Sequence, residues 1–212
     1  MQAPVDNVRY TKMMMAMFKK ATATPEYDFV KFAMDPEKSN TWYVIFCNFS
    51  GNKDEFVGGE YLVRIEAPSE FPYKAPSFYF MNETGVYGVE TKVCISIGEF
   101  HPENMQAALG MTGFIRELVN GLIGWEELGG GIAITKTPVE TKIGHAKTSK
   151  KYIREKYPRI VELVESSFAG YSAKWDLKKI PTASKIGLGL PVTPEELKEY
   201  EASVEALAAR KK

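Results

Sequence analysis

Sulfur and imidazole are scarce in this chain. Its 212 residues hold two cysteines, Cys47 and Cys94, and two histidines, His101 and His145. Two cysteines cannot build the dense disulfide framework of a small secreted domain. Together with the histidines they show none of the ligand spacing of a structural zinc site, so no metal is expected. Also missing is any run of roughly 18 apolar residues, the length a membrane helix needs. There is no surplus of charge either: Lys+Arg and Asp+Glu are both 27. That balance removes the global field by which a basic protein gathers nucleic acid or an acidic membrane. No signal-type segment follows Met1. These absences predict a soluble intracellular protein, cytoplasmic, with endoplasmic-reticulum association or a nuclear location as alternatives.

What is present is a full core, since 44% of the residues are hydrophobic and a chain of this length can bury one domain of ordinary size with an appendage. From Val5 to Lys20, Val8, Met13, Met14, Met15, Met17 and Phe18 are set among polar residues with no interior Gly or Pro, which predicts an amphipathic helix ended near Pro25. Its methionines read as a buried face or as an adaptable binding stripe. Strand-like segments follow at Tyr27 to Met34, Thr41 to Phe49, Glu60 to Glu66 and Phe78 to Met81, joined by short turn-rich pieces that favour an antiparallel meander. Cys47 falls inside "WYVIFCNF" and reads as a small core hydrophobe.

Beyond Cys94 the apolar period becomes helical. Phe114, Ile115, Leu118, Val119, Leu122 and Ile123 cover one face of a helix packed on the sheet, and Gly129 to Gly131 break it. In "TPVE", Thr137 can cap, Pro138 fits the first helical position and Glu140 can return a bond to the cap, so a helix is expected from there to about Tyr157. Pro158 permits a new start for "PRIVELVESSF". Thr193, Pro194 and Glu196 repeat the capping pattern before a terminal helix. The expected organisation is an α+β domain over 1–168, a linker over 169–192 and a C-terminal helix over 193–212.

The stretch "DEFVGGEYLVRIEAPSEFPYKAPSFYFM", followed by "KVCISI", resembles the core of ubiquitin-conjugating enzymes. That family carries an aromatic-or-apolar-x-Gly-Gly-x-aromatic turn and a Tyr-Pro-x-x-Pro-Pro-like loop, which stand here as "FVGGEY" and "FPYKAPS". The usual His-Pro-Asn before the cysteine is lacking. "NETGVY" before "CISIGEFHPEN" is instead similar, without gaps, to the J-type and yeast Ubc-six-like enzymes of the endoplasmic reticulum, whose pattern is roughly Thr-Pro-Asn-Gly-x-Phe, then Cys-Leu-Ser, then His-Pro. "GGIAITKTPVETKIGHAKTS" is similar to the final core helix of that subfamily. The resemblance covers about residues 5 to 160.

The resemblance implies a UBC-like fold and a role for Cys94: it takes ubiquitin or a ubiquitin-like protein from the activating enzyme by transthiolation and passes it to a substrate lysine, with hydroxyl groups as a further acceptor class. The chain itself needs no cofactor, because ATP is used by the activating enzyme. An incoming group that is already an activated thioester calls for good orientation and a modest thiolate fraction rather than a strong base. The subfamily's asparagine, which the resemblance implies helps the oxyanion or its supporting loop, is replaced by Thr84, ten residues before Cys94; its hydroxyl can still donate one hydrogen bond, and Asn82, two residues earlier, is the nearby substitute, so Cys94, Thr84 and Asn82 are the expected catalytic residues. Tyr73 matches the aromatic that relatives present to RING-type ligases. The downstream Trp-x-Pro element is altered, with Met105, Ala107 and Ala108 in "ENMQAAL" standing in that docking region. Relatives end in a tail anchor, whereas "SVEALAARKK" is a polar helix too short and charged to span a bilayer.

Other readings compete with this one. A noncatalytic ubiquitin- or partner-binding module of the same fold is the main alternative. A Cys/His hydrolase would pair Cys94 with His101 or His145, but the nearer histidine lies seven residues downstream of Cys94 in sequence, and nothing adjacent to the cysteine reads as a base. "KTSKKYIREKYPR", Lys147 to Arg159, holds six basic residues and one acidic. With no aromatic platform beside it, it reads as a solvated helix face and not as a nucleic-acid site.

Overall fold

Four strands form an antiparallel sheet in chain order, β1 (Val30–Met34), β2 (Thr41–Phe46), β3 (Tyr61–Glu66) and β4 (Ser77–Phe80). The protein is described here by a computed structural model covering residues 8–23, 30–47, 49, 54–95, 97, 98, 100–104 and 106–210. The expected meander is present. Tyr27 to Phe29, at the start of the first expected strand, lie outside the described residues, and β2 ends at Phe46. The register pairs Val44 with Val63 and Phe32, and Ile65 with Phe78.

Alternation along β2 explains why both faces of the sheet are dry, since successive side chains point to opposite faces. Trp42, Val44 and Phe46 belong to one core with Val63, Ile65, Phe78 and Phe80. Helix α1 (Val8–Ala23) contributes Tyr10 and Met14 to that core, and α2 (Gly110–Ile123) contributes Met111, Phe114, Ile115, Leu118, Val119 and Leu122. Ile45 points the other way, into a second cluster with Ala33, Leu62 and Met81. Helices α3 (Val139–Lys156) and α4 (Pro158–Ser172) close it with Ile153, Val161 and Val164. The methionine stripe of α1 is divided: Met14 is buried, Met13 and Met17 pack on the core, and Met15 points outward.

The stretch 169–192 differs from the expected linker. It holds the end of α4, a 3-10 turn at Leu177–Lys179 and a helix α5 (Thr182–Leu188). Polar composition conceals its anchors. Tyr171 and Leu188 pack with Phe168 around Cys47, and Trp175 Nε1 donates to the Thr22 carbonyl on α1 at 3.0 Å. The Tyr171 hydroxyl accepts from the Phe32 amide at 3.2 Å, which satisfies a donor on β1, an edge strand that would otherwise be open to pairing. Helix α6 (Pro194–Arg210) begins with the capping box its sequence predicts. Glu196 N donates to Thr193 Oγ1 at 3.2 Å and Thr193 N donates to the Glu196 carboxylate at 3.0 Å.

The cap expected of Thr137 is not formed. Helix α3 begins at Val139 after Pro138 with no side-chain cap, and Thr137 Oγ1 donates to the Gly85 carbonyl at 2.8 Å. A tertiary contact thus takes the hydroxyl that local capping would have used.

Candidate active site

Cys94 is held by backbone bonds on either side. The segment 87–93 runs along the outer edge of β4, where Glu90 N donates to the Phe80 carbonyl at 2.7 Å and Val93 N to the Phe78 carbonyl at 3.0 Å. The Cys94 amide then leaves β4 and donates to the Ile132 carbonyl at 3.1 Å. Its thiol is free and half-buried. Cys47 contrasts with it: 3% exposed, its thiol is pushed up to about 12 by burial. Such a thiol stays protonated and inert near neutral pH.

The Gly129 to Gly131 break, which reads in sequence only as the end of a helix, delivers a wall of the site. Gly131 lies close enough that an added Cβ would come 3.7 Å from the Cβ of Cys94. The chain that follows is stitched to the loop preceding the cysteine: Gly88 N donates to the Ala133 carbonyl at 2.7 Å, and Thr135 N to the Val86 carbonyl at 2.7 Å. Gly85 sits at the tightest point, with a φ of +75° and a missing Cβ that would meet Thr137 Oγ1 at 2.5 Å. Any L side chain there is excluded both by conformation and by space.

Beneath this loop lies a buried cation that sequence reading passed over. Lys142 is fully buried, its ammonium donates to the Thr137 carbonyl, and it stands 3.5 Å from the centroid of the Trp125 ring. Burial lowers its pKa, while Glu55 and Glu126 pull the other way. Trp125 Nε1 donates to Glu55 at 2.7 Å. The cation–π contact and the carbonyl together compensate the lost hydration of the ammonium.

Thr84 and Asn82 serve the loop. Thr84 is fully buried, and its Oγ1 accepts from Val86 N at 3.0 Å and Tyr87 N at 2.8 Å. Both bonds use the hydroxyl oxygen as an acceptor that pins the loop. Asn82 is 2% exposed. Its Oδ1 accepts from Leu62 N at 2.8 Å and its Nδ2 donates to the Glu60 carbonyl at 3.1 Å, so both ends of the amide are spent on β3 and its approach.

The expectation that Cys94 has no base beside it is also corrected. Two reverse turns, closed by Gly98 N to the Ile95 carbonyl at 2.9 Å and His101 N to the Gly98 carbonyl at 3.0 Å, fold the chain back. They bring His101 Nε2 to 3.4 Å from Cys94 Sγ. His101 Nδ1 in turn lies 3.2 Å from the Glu103 carboxylate. Both side chains are open to solvent, at 41% and 65% exposed. His145 sits instead on α3, beside Gly85.

The residues expected to dock a ligase are exposed where they are described. Tyr73, in the loop between β3 and β4, is 80% exposed, so it is not a packing residue. Ala107 and Ala108 are exposed in a 3-10 turn at the mouth of a hollow of about 380 Å³, which Met17 and Lys20 of α1 also line. Met105 lies outside the described residues. The basic stretch Lys147 to Arg159 is occupied in part by ion pairs: Arg154 bonds Glu60 and Glu165, and Lys151 pairs with Glu155. No helix among the described residues is long and apolar enough to cross a membrane.

No family model matches the chain. Individual relatives do. Ubiquitin-conjugating enzyme E2 32 of Arabidopsis thaliana is 31% identical over 120 residues, 53% of this chain and 38% of that protein. Ubiquitin-conjugating enzyme E2 J2 of Bos taurus is 28% identical over 52% of this chain and 44% of its own length. Ubiquitin-conjugating enzyme E2 6 of Candida glabrata is 29% identical over 57% and 50% respectively. The chain thus spans about half the length of the curated relatives it matches. Among solved structures, human ubiquitin-conjugating enzyme E2 G1 aligns over 57% of this chain and 98% of its own at 17% identity and a TM-score of 0.44, a likeness too slight to support anything further. These sequence relatives are ubiquitin-conjugating enzymes, J-type and E2 6 enzymes among them, and it is to them that the chain is similar.

Proposed function

We propose that this chain is a ubiquitin-conjugating transferase. Cys94 accepts ubiquitin or a ubiquitin-like protein as a thioester from an activating enzyme, and the acyl group then passes to a substrate lysine, with hydroxyl groups as a further acceptor class. ATP is spent by the activating enzyme, and this chain uses no cofactor. A RING-type ligase docks on Tyr73 and on the turn at Ala107 and Ala108, and the reaction takes place on the cytoplasmic side. The catalytic body extends past residue 168, because α5 and Trp175 are packed into it.

The observation that carries this reading is the contrast between the two thiols. Cys47 is sealed in a core cluster, while Cys94, the residue to which the sequence resemblance gives the nucleophile's role, is half-buried between a stitched loop and a reverse turn. The test incubates the protein with activating enzyme, ATP and ubiquitin or one of several ubiquitin-like proteins. The expected product is a thiol-sensitive adduct that Cys94→Ser abolishes or converts to a thiol-resistant ester, and that Cys47→Ser retains. Adduct formation that depends on Cys47 alone would contradict it.

The 3.4 Å approach of His101 to Cys94 gives specific support to a second reading, a Cys/His hydrolase of ubiquitin-linked esters or amides. The same assay separates the two. A hydrolase cleaves a preformed ubiquitin conjugate without ATP or activating enzyme, and the transferase leaves it intact.

A further inference from the structure

We propose that Lys142 is a positioning residue of the Cys94 site, a clasp that joins the two ends of the segment 125–137 and so holds that segment as a wall beside the cysteine. Its part in acyl transfer rests on the thioester reading above; the clasp itself does not.

The wall has little of its own to hold it. Residues 126–136 form no helix or strand, include Gly129, Gly130 and Gly131 in succession, and leave Ile132 52% exposed. Leu128, Ala133 and Ile134 only border the core. Yet three backbone bonds from this segment set the site. Gly88 N donates to the Ala133 carbonyl at 2.7 Å, Thr135 N to the Val86 carbonyl at 2.7 Å, and the Cys94 amide to the Ile132 carbonyl at 3.1 Å. The last of these fixes the backbone from which the thiol projects.

One side chain reaches both ends of that segment. The Lys142 ammonium donates to the Thr137 carbonyl at one end and stands 3.5 Å from the centroid of the Trp125 ring at the other. Its stem lies against Gly85, where an added Cβ would meet Lys142 Cγ at 2.8 Å, so the loop before the cysteine is gripped by the same residue. Each end has a further anchor. Trp125 Nε1 donates to Glu55, itself 7% exposed, at 2.7 Å, and Thr137 Oγ1 donates to the Gly85 carbonyl at 2.8 Å.

Lysine suits this place because a compact ammonium with three donors can serve a carbonyl and a ring face at once, where a guanidinium is a wide planar fork. A buried cation is costly unless its donors are used. Removing the charge therefore relieves a desolvation cost while it breaks the two contacts, and the two effects offset each other in overall stability. No such offset acts on the wall, which loses the group that joins its ends. Global stability and local order at Cys94 are expected to separate.

The test compares the full chain with Lys142→Met, which keeps the length of the stem and removes the charge. Amide exchange is followed at Gly88, Cys94 and Thr135, with the amides of β2 and β3 as references. Protection at the three site amides should fall by about ten-fold or more, the range for losing a desolvated cation–π contact and a charge-assisted hydrogen bond, while the sheet amides stay within about two-fold, as an opening confined to the site requires. Alkylation of Cys94 by iodoacetamide should quicken, with Cys47 unlabelled in the folded protein. Loaded with ubiquitin and freed of activating enzyme, Lys142→Met should discharge to free lysine about ten-fold more slowly, the scale of a misplaced reacting group, although loading still reaches completion. Trp125→Leu should reproduce these shifts, Trp125→Phe should keep most of the protection because a ring face remains, and Lys142→Met combined with Trp125→Leu should add little to either alone, since both break one contact. Protection lost equally in sheet and site marks a merely structural residue and overturns the proposal, as do unchanged protection at the three amides, fully additive substitutions, or discharge at the parent rate despite lost protection. If Lys142→Met does not fold, Trp125→Leu and Trp125→Phe decide on the same amides. A parent protein that fails to load removes the transfer reading and leaves exchange and alkylation to judge the clasp.

Discussion

Thr84→Val removes one oxygen and keeps the shape of the side chain. Thr84 is fully buried and its Oγ1 accepts from the amides of Val86 and Tyr87, both residues 1% exposed. Water cannot reach the site to replace the lost acceptor. Leaving one buried donor unsatisfied costs about 1–3 kcal/mol. Two amides sharing one oxygen put the expected loss at about 2–4 kcal/mol, because each bond to a shared acceptor is weaker than a bond made alone. Thr84→Ser keeps the oxygen and loses a methyl group, at about 1 kcal/mol. The assay is urea unfolding of the three proteins, with midpoints compared at equal slope. Loading and discharge of Cys94 should decline together in Thr84→Val as the loop loosens. Valine within about 0.5 kcal/mol of the parent, or serine as damaging as valine, would refute the loop-pinning role. A selective hundred-fold loss of discharge with stability unchanged would instead make the hydroxyl an oxyanion donor.

Tyr87→Phe should raise stability by about 1 kcal/mol, since the Tyr87 hydroxyl is buried without a hydrogen-bond partner among the described residues and such a group carries a desolvation cost; a lower unfolding midpoint would reveal a partner. Cys47→Ser should cost about 1–3 kcal/mol by placing a hydroxyl among Phe168, Tyr171 and Leu188, read by thermal unfolding, while thioester loading in the folded fraction is kept. At the end of the chain, the Lys185 ammonium and then the Thr193 amide hold the Glu196 carboxyl below its ordinary range. A carboxyl with a depressed folded-state pKa stabilises at pH values above its unfolded pKa, and that contribution is lost as pH falls through the folded one. Amide exchange protection in α6 should therefore fall as pH drops into and below the ordinary carboxylate range, and Glu196→Gln should show the reduced protection at neutral pH. Equal protection in both proteins at neutral pH would remove the ion pair from the account.

The sheet was legible because short turn-rich connections force neighbouring strands to pair; its two faces were not, because "TWYVIF" is a continuous apolar run buried on both sides. Terminal capping by Thr193 and Glu196 was legible because both partners are local. Thr137 offers the same local pattern, but its hydroxyl goes to the Gly85 carbonyl, a contact 52 residues distant that no local rule contains. The stretch 169–192 looked like a linker because its anchors, Tyr171, Trp175 and Leu188, are separated by Gly, Lys and Pro and carry no sustained period. Around Cys94, the segment could be found from motif resemblance, and His101 could be named as a possible pair, but not placed. Seven residues separate them in sequence, and His101 reaches the sulfur only through two successive reverse turns closing on Gly98. The Lys142–Trp125 contact joins α3 to the end of α2 and leaves no periodic mark. The glycines at 129–131 read in sequence as a break; in the structure Gly131 is a place where the backbone comes close to Cys94.

The central claim is that Cys94 carries the acyl group. Intact-mass measurement of the protein after incubation with activating enzyme, ATP and ubiquitin, followed by proteolysis under mildly acidic, thiol-free conditions, locates the adduct by residue. One ubiquitin per chain, on the peptide containing Cys94 and released by thiol or hydroxylamine, is the predicted result. An unmodified Cys94 peptide with the added mass on Cys47 or on a lysine would contradict it.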